Sequence, residues 1–446
     1  LINKFKPVHA SSAIMMGHLA GQLLDEALYH VHDDIPYKES LTQFFKAHTQ
    51  QLLTAELAAD FHQEAQKQKN NMHKALHSTL PQLLKNSKIA FDETEIIVEP
   101  SFYSEMLGLQ GRMDFLQLDY KVLIEQKAGK GGWPQHDAET PVQQQKHYVQ
   151  LLLYALLIRY NYKTQYKQNN HELHSFLLYS KYRNGLIALG FSPELVFEAI
   201  KIRNQLAANE LRFAHEGAAI LNTLQAEDLN TLHSRGTLWE NYQKKELTAY
   251  LSTIQQAPSP EKDYFLRFFR FLQAEFILSK MGNQSKENSG FADKWYSSVD
   301  EKAQAGNIFH QMELITPKYG ETGKIDRIIL SFDKKGKNDS TNFRIGDIVI
   351  LYPYNENEEP DATRTMVFRC AITQMCTRTI TLQLRYSQVS AHVFWKQANR
   401  KWALEHDLAD SSYNHLYRGL FAMLKAPEER RQLILTQREA THEKQK

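Results

Sequence analysis

The chain has 446 residues, 42% of them hydrophobic and 23% charged, with a formal net charge of +2. That length exceeds one compact core and predicts two or three domains. The balanced charge excludes a globally basic nucleic-acid binder, so any such affinity has to come from local grooves. The two cysteines, Cys370 and Cys376, exclude a disulfide framework and, within this chain, a four-thiolate zinc or iron–sulfur site. No apolar run approaches the roughly 18 residues that span a bilayer, and the N-terminus lacks a signal-peptide apolar region, so a soluble, cytoplasmic protein is expected. The start at Leu1 and the charged end from Gln437 to Lys446 read as cuts from something longer.

In chain order, residues 11 to 90 carry apolar residues three and four apart and read as several helices. A hairpin follows from about Glu95 to Lys127, then a loop marked by Gly131, Gly132 and Pro134. His147 to Tyr160 is a strongly apolar helix, and Ser175 to Ser180 is a strand. That order predicts an α/β core, with helices packed on a small mixed sheet. From about Pro193 to Lys280 the pattern is helical again, with a turn at Ala257-Pro258-Ser259-Pro260. In Tyr264 to Leu272, aromatics alternate with Arg267 and Arg270; this reads as a buried helix face with outward arginines rather than a base-stacking platform. Gly282 to Gly290 reads as a linker. From about Ile308 to Phe394, β-branched runs between polar turns predict a small antiparallel barrel. Gly320-Glu321-Thr322-Gly323-Lys324 resembles a phosphate loop but has two residues between its glycines instead of four, so no ATP site is read there. The tail returns to helix from Tyr413 to Leu424, with Asp410, Ser411 or Ser412 as its cap.

The hairpin carries the chemistry. In Gly111-Arg112-Met113-Asp114 through Glu125-Gln126-Lys127, a turn centred on Asp119-Tyr120 pairs residues whose numbers sum to 239 and sets Asp114 across from Glu125. Lys127 then shares the face of Glu125, while Gln126 points away. Two opposed carboxylates repel unless a cation sits between them, and a hard divalent ion such as Mg2+ is the economical candidate. Held by Asp114, Glu125 and the Gln126 carbonyl, one or two such ions would activate water near neutral pH, with Lys127 orienting the water or stabilising developing charge. An exposed Asp beside a surface Glu/Lys pair is the plainer alternative. In the next helix, His147, Gln150 and Tyr154 fall on one face of an otherwise apolar surface. Such a stripe meets something polar, either a metal-bound phosphate or water, or the ends of neighbouring strands.

Gly111-Arg112-Met113-Asp114, Glu125-Gln126-Lys127 and Gln150 with Tyr154 four residues on, in that order, resemble the PD-(D/E)XK nucleases, and within them the RecB-type exonuclease branch. The resemblance covers about residues 1 to 190. It implies a restriction-endonuclease-like sheet, Mg2+ or Mn2+ as cofactor, metal binding by Asp114 and Glu125, catalysis by Lys127, and positioning by Gln150 and Tyr154. Lys130 and His147 sit where such proteins often have Lys and His. The branch usually carries a metal-ligand histidine in an N-terminal helix, and Gly17-His18-Leu19-Ala20-Gly21-Gln22-Leu23-Leu24-Asp25-Glu26 matches that frame with Gly21 in its place. His18, three residues earlier, is the candidate substitute ligand.

The remainder, notably Asn342 to Pro353, Trp402 to Asp407 and Tyr417 to Leu420, is similar to the barrel and stalk that precede the motor of superfamily 1 helicase-nucleases. These include the eukaryotic flap-processing type, whose iron–sulfur cluster this chain cannot build. The expected division is a nuclease domain at 1–190, a helical stalk at 191–300, the barrel at 301–400 and C-terminal stalk helices at 401–446. The expected activity is metal-dependent hydrolysis of single-stranded or flap DNA, with a helicase motor as partner. Arg112, Lys130, Lys146 and His147 are the candidate DNA contacts. The rival expectation is a nuclease-like fold that grips DNA without cutting it.

Overall fold

The computed structural model describes residues 1–29, 37–85, 87, 89–133, 137–162, 173–283, 290–332, 341–397, 399–407 and 410–440. Pro134, most of the run from Gly282 to Gly290, residues 441–446 and the side chains of Asp410 and Ser411 lie outside the described set. By compactness the chain forms two units, one of His9–Lys201 with Lys294–Asp407, the other of Leu1–Val8, Ile202–Asp293 and Leu408–Lys446.

The first unit opens with helices α1 (Ser12–Tyr29), α2 (Tyr37–Ala47), α3 (Thr49–Thr54), α4 (Phe61–Lys74) and α5 (Leu80–Lys85). Seven strands follow: β1 (Ile96–Val98), β2 (Ser101–Ser104), β3 (Leu109–Arg112), β4 (Phe115–Gln117), β5 (Val122–Lys127), β6 (His174–Tyr179) and β7 (Leu186–Leu189). Strands β1-β4-β5-β6-β7 form one mixed sheet in that order, and β2 pairs with β3 separately. Only β5 and β6 run parallel, which requires a crossover, and helix α6 (Gln145–Asn161) lies between them in the chain.

Period-two alternation sorts this sheet into two faces. Ile97, Leu116, Leu123, Leu177 and Tyr179 pack with Leu151, Tyr154 and Leu157 of α6. Ile96, Val98, Phe115, Val122, Ile124, Phe176 and Leu178 pack with Leu19, Leu23, Ala65 and Met72 of α1 and α4. The helix-covered mixed sheet expected from the element order is what the chain forms.

Strands β8 (Ile308–Tyr319), β9 (Ile325–Ser331), β10 (Ile348–Tyr354), β11 (Phe368–Met375), β12 (Thr379–Gln388) and β13 (Lys401–His406) close into an antiparallel barrel, in the order β10-β11-β12-β9-β8-β13. Closure leaves no open edge. Strand β13 extends the barrel past position 400, because Trp402 and Leu404 are fully buried in the same apolar cluster as Phe309, Leu351 and Leu382. That cluster is continuous with the α6 side of the sheet. Gln388 of β12 also clamps β1, accepting from the Val98 N–H at 3.2 Å and donating to the Val98 carbonyl at 2.9 Å. Cys370 and Cys376 are free thiols, the first buried and the second exposed.

The second unit is helical, built from residues 202–223, Lys244–Gln255, Ser259–Met281 and Asp410–Lys425. Phe5 sits among Phe265, Phe269 and Phe421 in its core. Phe265, Leu266, Phe269 and Leu272 are buried, whereas Arg267 and Arg270 are exposed and share the outer face with Phe268 and Phe271, so the run is only in part a buried face. No helix among the described residues is long and apolar enough to cross a membrane.

Candidate active site

The β4–β5 turn sets the site's register. Tyr120 takes a positive φ of 62°, its N–H bonds the Gln117 carbonyl at 2.8 Å, and Asp119 Oδ1 accepts the Lys121 N–H at 2.9 Å. Asx turns of this kind suit a tight reversal. The resulting ladder pairs Phe115 with Ile124 and Leu116 with Leu123, the expected register. Asp114 lies one residue before β4, and its Oδ2 accepts the Gln126 N–H at 2.7 Å. The Gln126 side chain points to the other face, where its Nε2 donates to Ser180 Oγ at 2.7 Å and Ser180 Oγ donates to Gln68 Oε1 at 2.6 Å.

Glu125 is 2% exposed, and its Oε1 receives both the Lys127 ammonium at 2.5 Å and Gln150 Nε2 at 2.6 Å. Gln150 also donates to the Tyr154 hydroxyl at 2.9 Å, so two members of the α6 stripe converge on the strand carboxylate. Glu125 Oε2 is buried without a hydrogen-bond partner. Gly111 explains its own identity by close approach: a Cβ there would stand 2.8 Å from Tyr154 Cε1 and 3.1 Å from Leu157 Cδ1. Gly111→Ala is therefore expected to push Tyr154 off Gln150 and to cost about 1–3 kcal/mol, as overpacking does. Thermal melting and cleavage assays on this variant should both report a loss.

The family model of the PD-(D/E)XK nuclease superfamily matches residues 10–236, about half of the chain. This chain is a PD-(D/E)XK superfamily protein. A search among curated proteins found no match. Members of the superfamily are generally nucleases that hydrolyse phosphodiester bonds with a divalent metal ion.

The electrostatics of this PD-(D/E)XK site involve more carboxylates than its motif. Burial raises the pKa of Asp114 and of Glu125, and each is held back by the Lys127 charge. Burial and the neighbouring Asp114 push Glu99 up to about 8. Burial pushes Asp25 of α1 up to about 6, opposed by the charge of Lys324 and aided by Glu26 and Asp114. Neither Asp25 nor Glu99 was singled out by sequence. Their signals were faint: Asp25 lies seven residues after His18 on one helix face, and Glu99 interrupts the apolar Val98-Glu99-Pro100 run. Glu99 also adopts φ 52°, a strained conformation for a residue with a side chain.

A pH dependence follows. Carboxyls with raised native pKa values keep protons that the unfolded chain gives up near pH 4, so the native state binds the excess and stability falls as pH rises. The loss should run through about 6 for Asp25 and about 8 for Glu99. Melting of the metal-free protein between about pH 5.5 and 8.5 should show a falling midpoint, and Glu99→Gln should flatten the upper part of that fall.

The other expected residues scatter. Arg112 forms an ion pair with Glu99 and a hydrogen bond to the Tyr386 hydroxyl, with its guanidinium 4.5 Å above the Tyr386 ring. Lys130 and Lys146 have exposed side chains. The Tyr179 hydroxyl accepts the Gln144 N–H at 2.9 Å and shares a hydrogen bond of 2.9 Å with His147 Nδ1. Burial, with Lys127 and Lys146 nearby, pushes His147 down to about 4, so it is a neutral imidazole at physiological pH. His18 is exposed and its ring packs 5.2 Å from that of His48. Gly21 has open space: a Cβ there would meet nothing within 4 Å.

Among the described residues no group of three or more His, Cys, Asp or Glu is arranged to hold a metal ion. The donor chemistry of the Asp114–Glu125 pair nevertheless fits a hard cation. Two oxygen donors are forced together against their own repulsion, and a buried Glu125 oxygen lacks any partner.

Proposed function

We propose that this chain is a deoxyribonuclease of the RecB-type branch, dependent on Mg2+ or Mn2+, that hydrolyses single-stranded or flap DNA in cooperation with a helicase motor. The observation that carries the nuclease reading is the shared Glu125 oxygen, held at once by Lys127 and by the Gln150–Tyr154 pair. Asp114 and Glu125 would hold the cation, with the Gln126 carbonyl and His18 as further candidate ligands. When bound, such an ion lowers the pKa of water and neutralises charge on phosphate.

The chain's own groups do the rest. Lys127 is on the face of Glu125, where its ammonium can stabilise charge developing on the phosphorus oxygens. Gln150 fixes the Glu125 carboxylate and Tyr154 fixes Gln150. Arg112, Lys130 and Lys146 supply contacts to the DNA backbone, and neutral His147 is a further contact to a phosphate. The substrate form and the motor partnership rest on the likeness of residues 200–440 to helicase-associated segments. A second reading, a DNA-gripping module that does not cut, draws on Gly21 and on the outlying His18. Incubating the chain with end-labelled single-stranded DNA and Mg2+ or Mn2+ separates the two: binding without cutting under either ion would defeat the nuclease reading.

A further inference from the structure

The Gly320-Glu321-Thr322-Gly323-Lys324 segment, dismissed as a phosphate loop, is the hairpin between β8 and β9. The Gly323 N–H bonds the Gly320 carbonyl at 3.1 Å, and the Gly320 N–H bonds the Lys324 carbonyl at 2.8 Å. Gly323 takes a φ of 73°, a conformation that favours glycine, and a Cβ on Gly320 would displace the Asp326 carboxylate. The turn delivers Lys324 to the acidic site. Its side chain is 10% exposed, and its ammonium lies 3.9 Å from Asp25 Oδ2. That is an ion pair too long for a hydrogen bond, so the ammonium's three donors are not used by Asp25. A lysine this buried needs an anionic partner.

The barrel touches the same site at a second point. Tyr386 of β12 holds Arg112, the residue after Gly111 in the nuclease motif. A polyanion approaching Asp25, Glu99, Asp114 and Glu125 is repelled unless cations meet it. Lys127 is engaged by Glu125, and Arg112 by Glu99. Among the described residues Lys324 adds a third cation beside them, and its long pair with Asp25 leaves its donors unspent. We infer that the barrel hairpin is part of the DNA-binding surface of the nuclease site, and that Lys324 takes a backbone phosphate of the bound strand. The inference rests on the nuclease reading for its substrate class, and it makes the barrel a part of the site.

The test is binding of a fluorescein-labelled oligothymidylate by the full chain in EDTA, read by anisotropy over a range of salt. Lys324→Gln should raise Kd about 3- to 10-fold and lower the slope of log K against log salt by about 0.7, one phosphate on a single strand. Lys324→Arg should restore both. If Lys324→Gln does not fold, the double variant Asp25→Asn/Lys324→Gln, which removes both charges, is compared with Asp25→Asn alone. An unchanged slope in either comparison overturns the inference and leaves Lys324 as the counter-ion of Asp25. Absence of oligothymidylate binding by the wild type overturns it as well. Wild type that binds with a Lys324-dependent slope, yet cuts with neither Mg2+ nor Mn2+, defeats the nuclease reading while the phosphate contact stands.

Discussion

Lys127→Ala and Asp114→Asn are both expected to lose most cleavage, with a loss of stability for Lys127→Ala alone. Lys127 is the cation on Glu125, and without it the buried carboxyl loses its ion pair and is driven further towards its protonated form. Breaking one half of a buried pair costs about 3–5 kcal/mol, and the 19% exposure of Lys127 puts this case at or below the lower end. Asp114→Asn instead removes a like charge from beside Glu125 and keeps an oxygen to accept the Gln126 N–H, so the metal-free melting point should hold or rise. Cleavage should fall by about 100- to 1,000-fold or more for Lys127→Ala, the scale of losing one electrostatic stabiliser of a transition state. Cleavage of labelled single-stranded DNA with Mg2+, beside metal-free melting curves, reads both effects. Equal cutting by wild type and both variants would place the chemistry elsewhere.

Gly21→His is expected to gain function. The position lies one turn before Asp25 on the same helix face, and a Cβ there meets nothing within 4 Å. Replacing glycine inside a helix also adds stability, up to about 1 kcal/mol for alanine and somewhat less for histidine. Gly21→Ala is therefore the control, since it shares the propensity gain and lacks the imidazole. The histidine variant should bind Mn2+ at least about tenfold more tightly than Gly21→Ala, consistent with the 10- to 100-fold effects of adjusting a metal site's surroundings. Isothermal titration with Mn2+ measures this without reference to turnover. Equal affinity of the two variants would mean that the first helix does not face the ion.

Much of the site was legible because it is local. Asp114, Glu125 and Lys127 lie within one hairpin whose register is dictated by its turn, and Gln150 and Tyr154 are one helical turn apart. Alternation and helical periodicity act over a few residues, so they can be read without knowing the fold. The same holds for the barrel, whose strands announce themselves by β-branched runs. His18 shows where local reading stops: its spacing puts it near the ligand position of the motif frame, and only the fold shows that its ring packs beside His48.

Short-range geometry fixes the α/β and barrel elements, the hairpin register and the face on which the motif carboxylates lie, so each can be read along the chain. Long-range packing adds that Asp25 and Glu99 stand close to Asp114, that Gly111 is glycine because Tyr154 packs on it, and that barrel residues Lys324 and Tyr386 reach the site. Those contacts join residues up to about 300 positions apart, such as Asp25 with Lys324 and Arg112 with Tyr386. No period in the chain records them; they arise when two buried apolar surfaces merge into one core and bring their polar edges together.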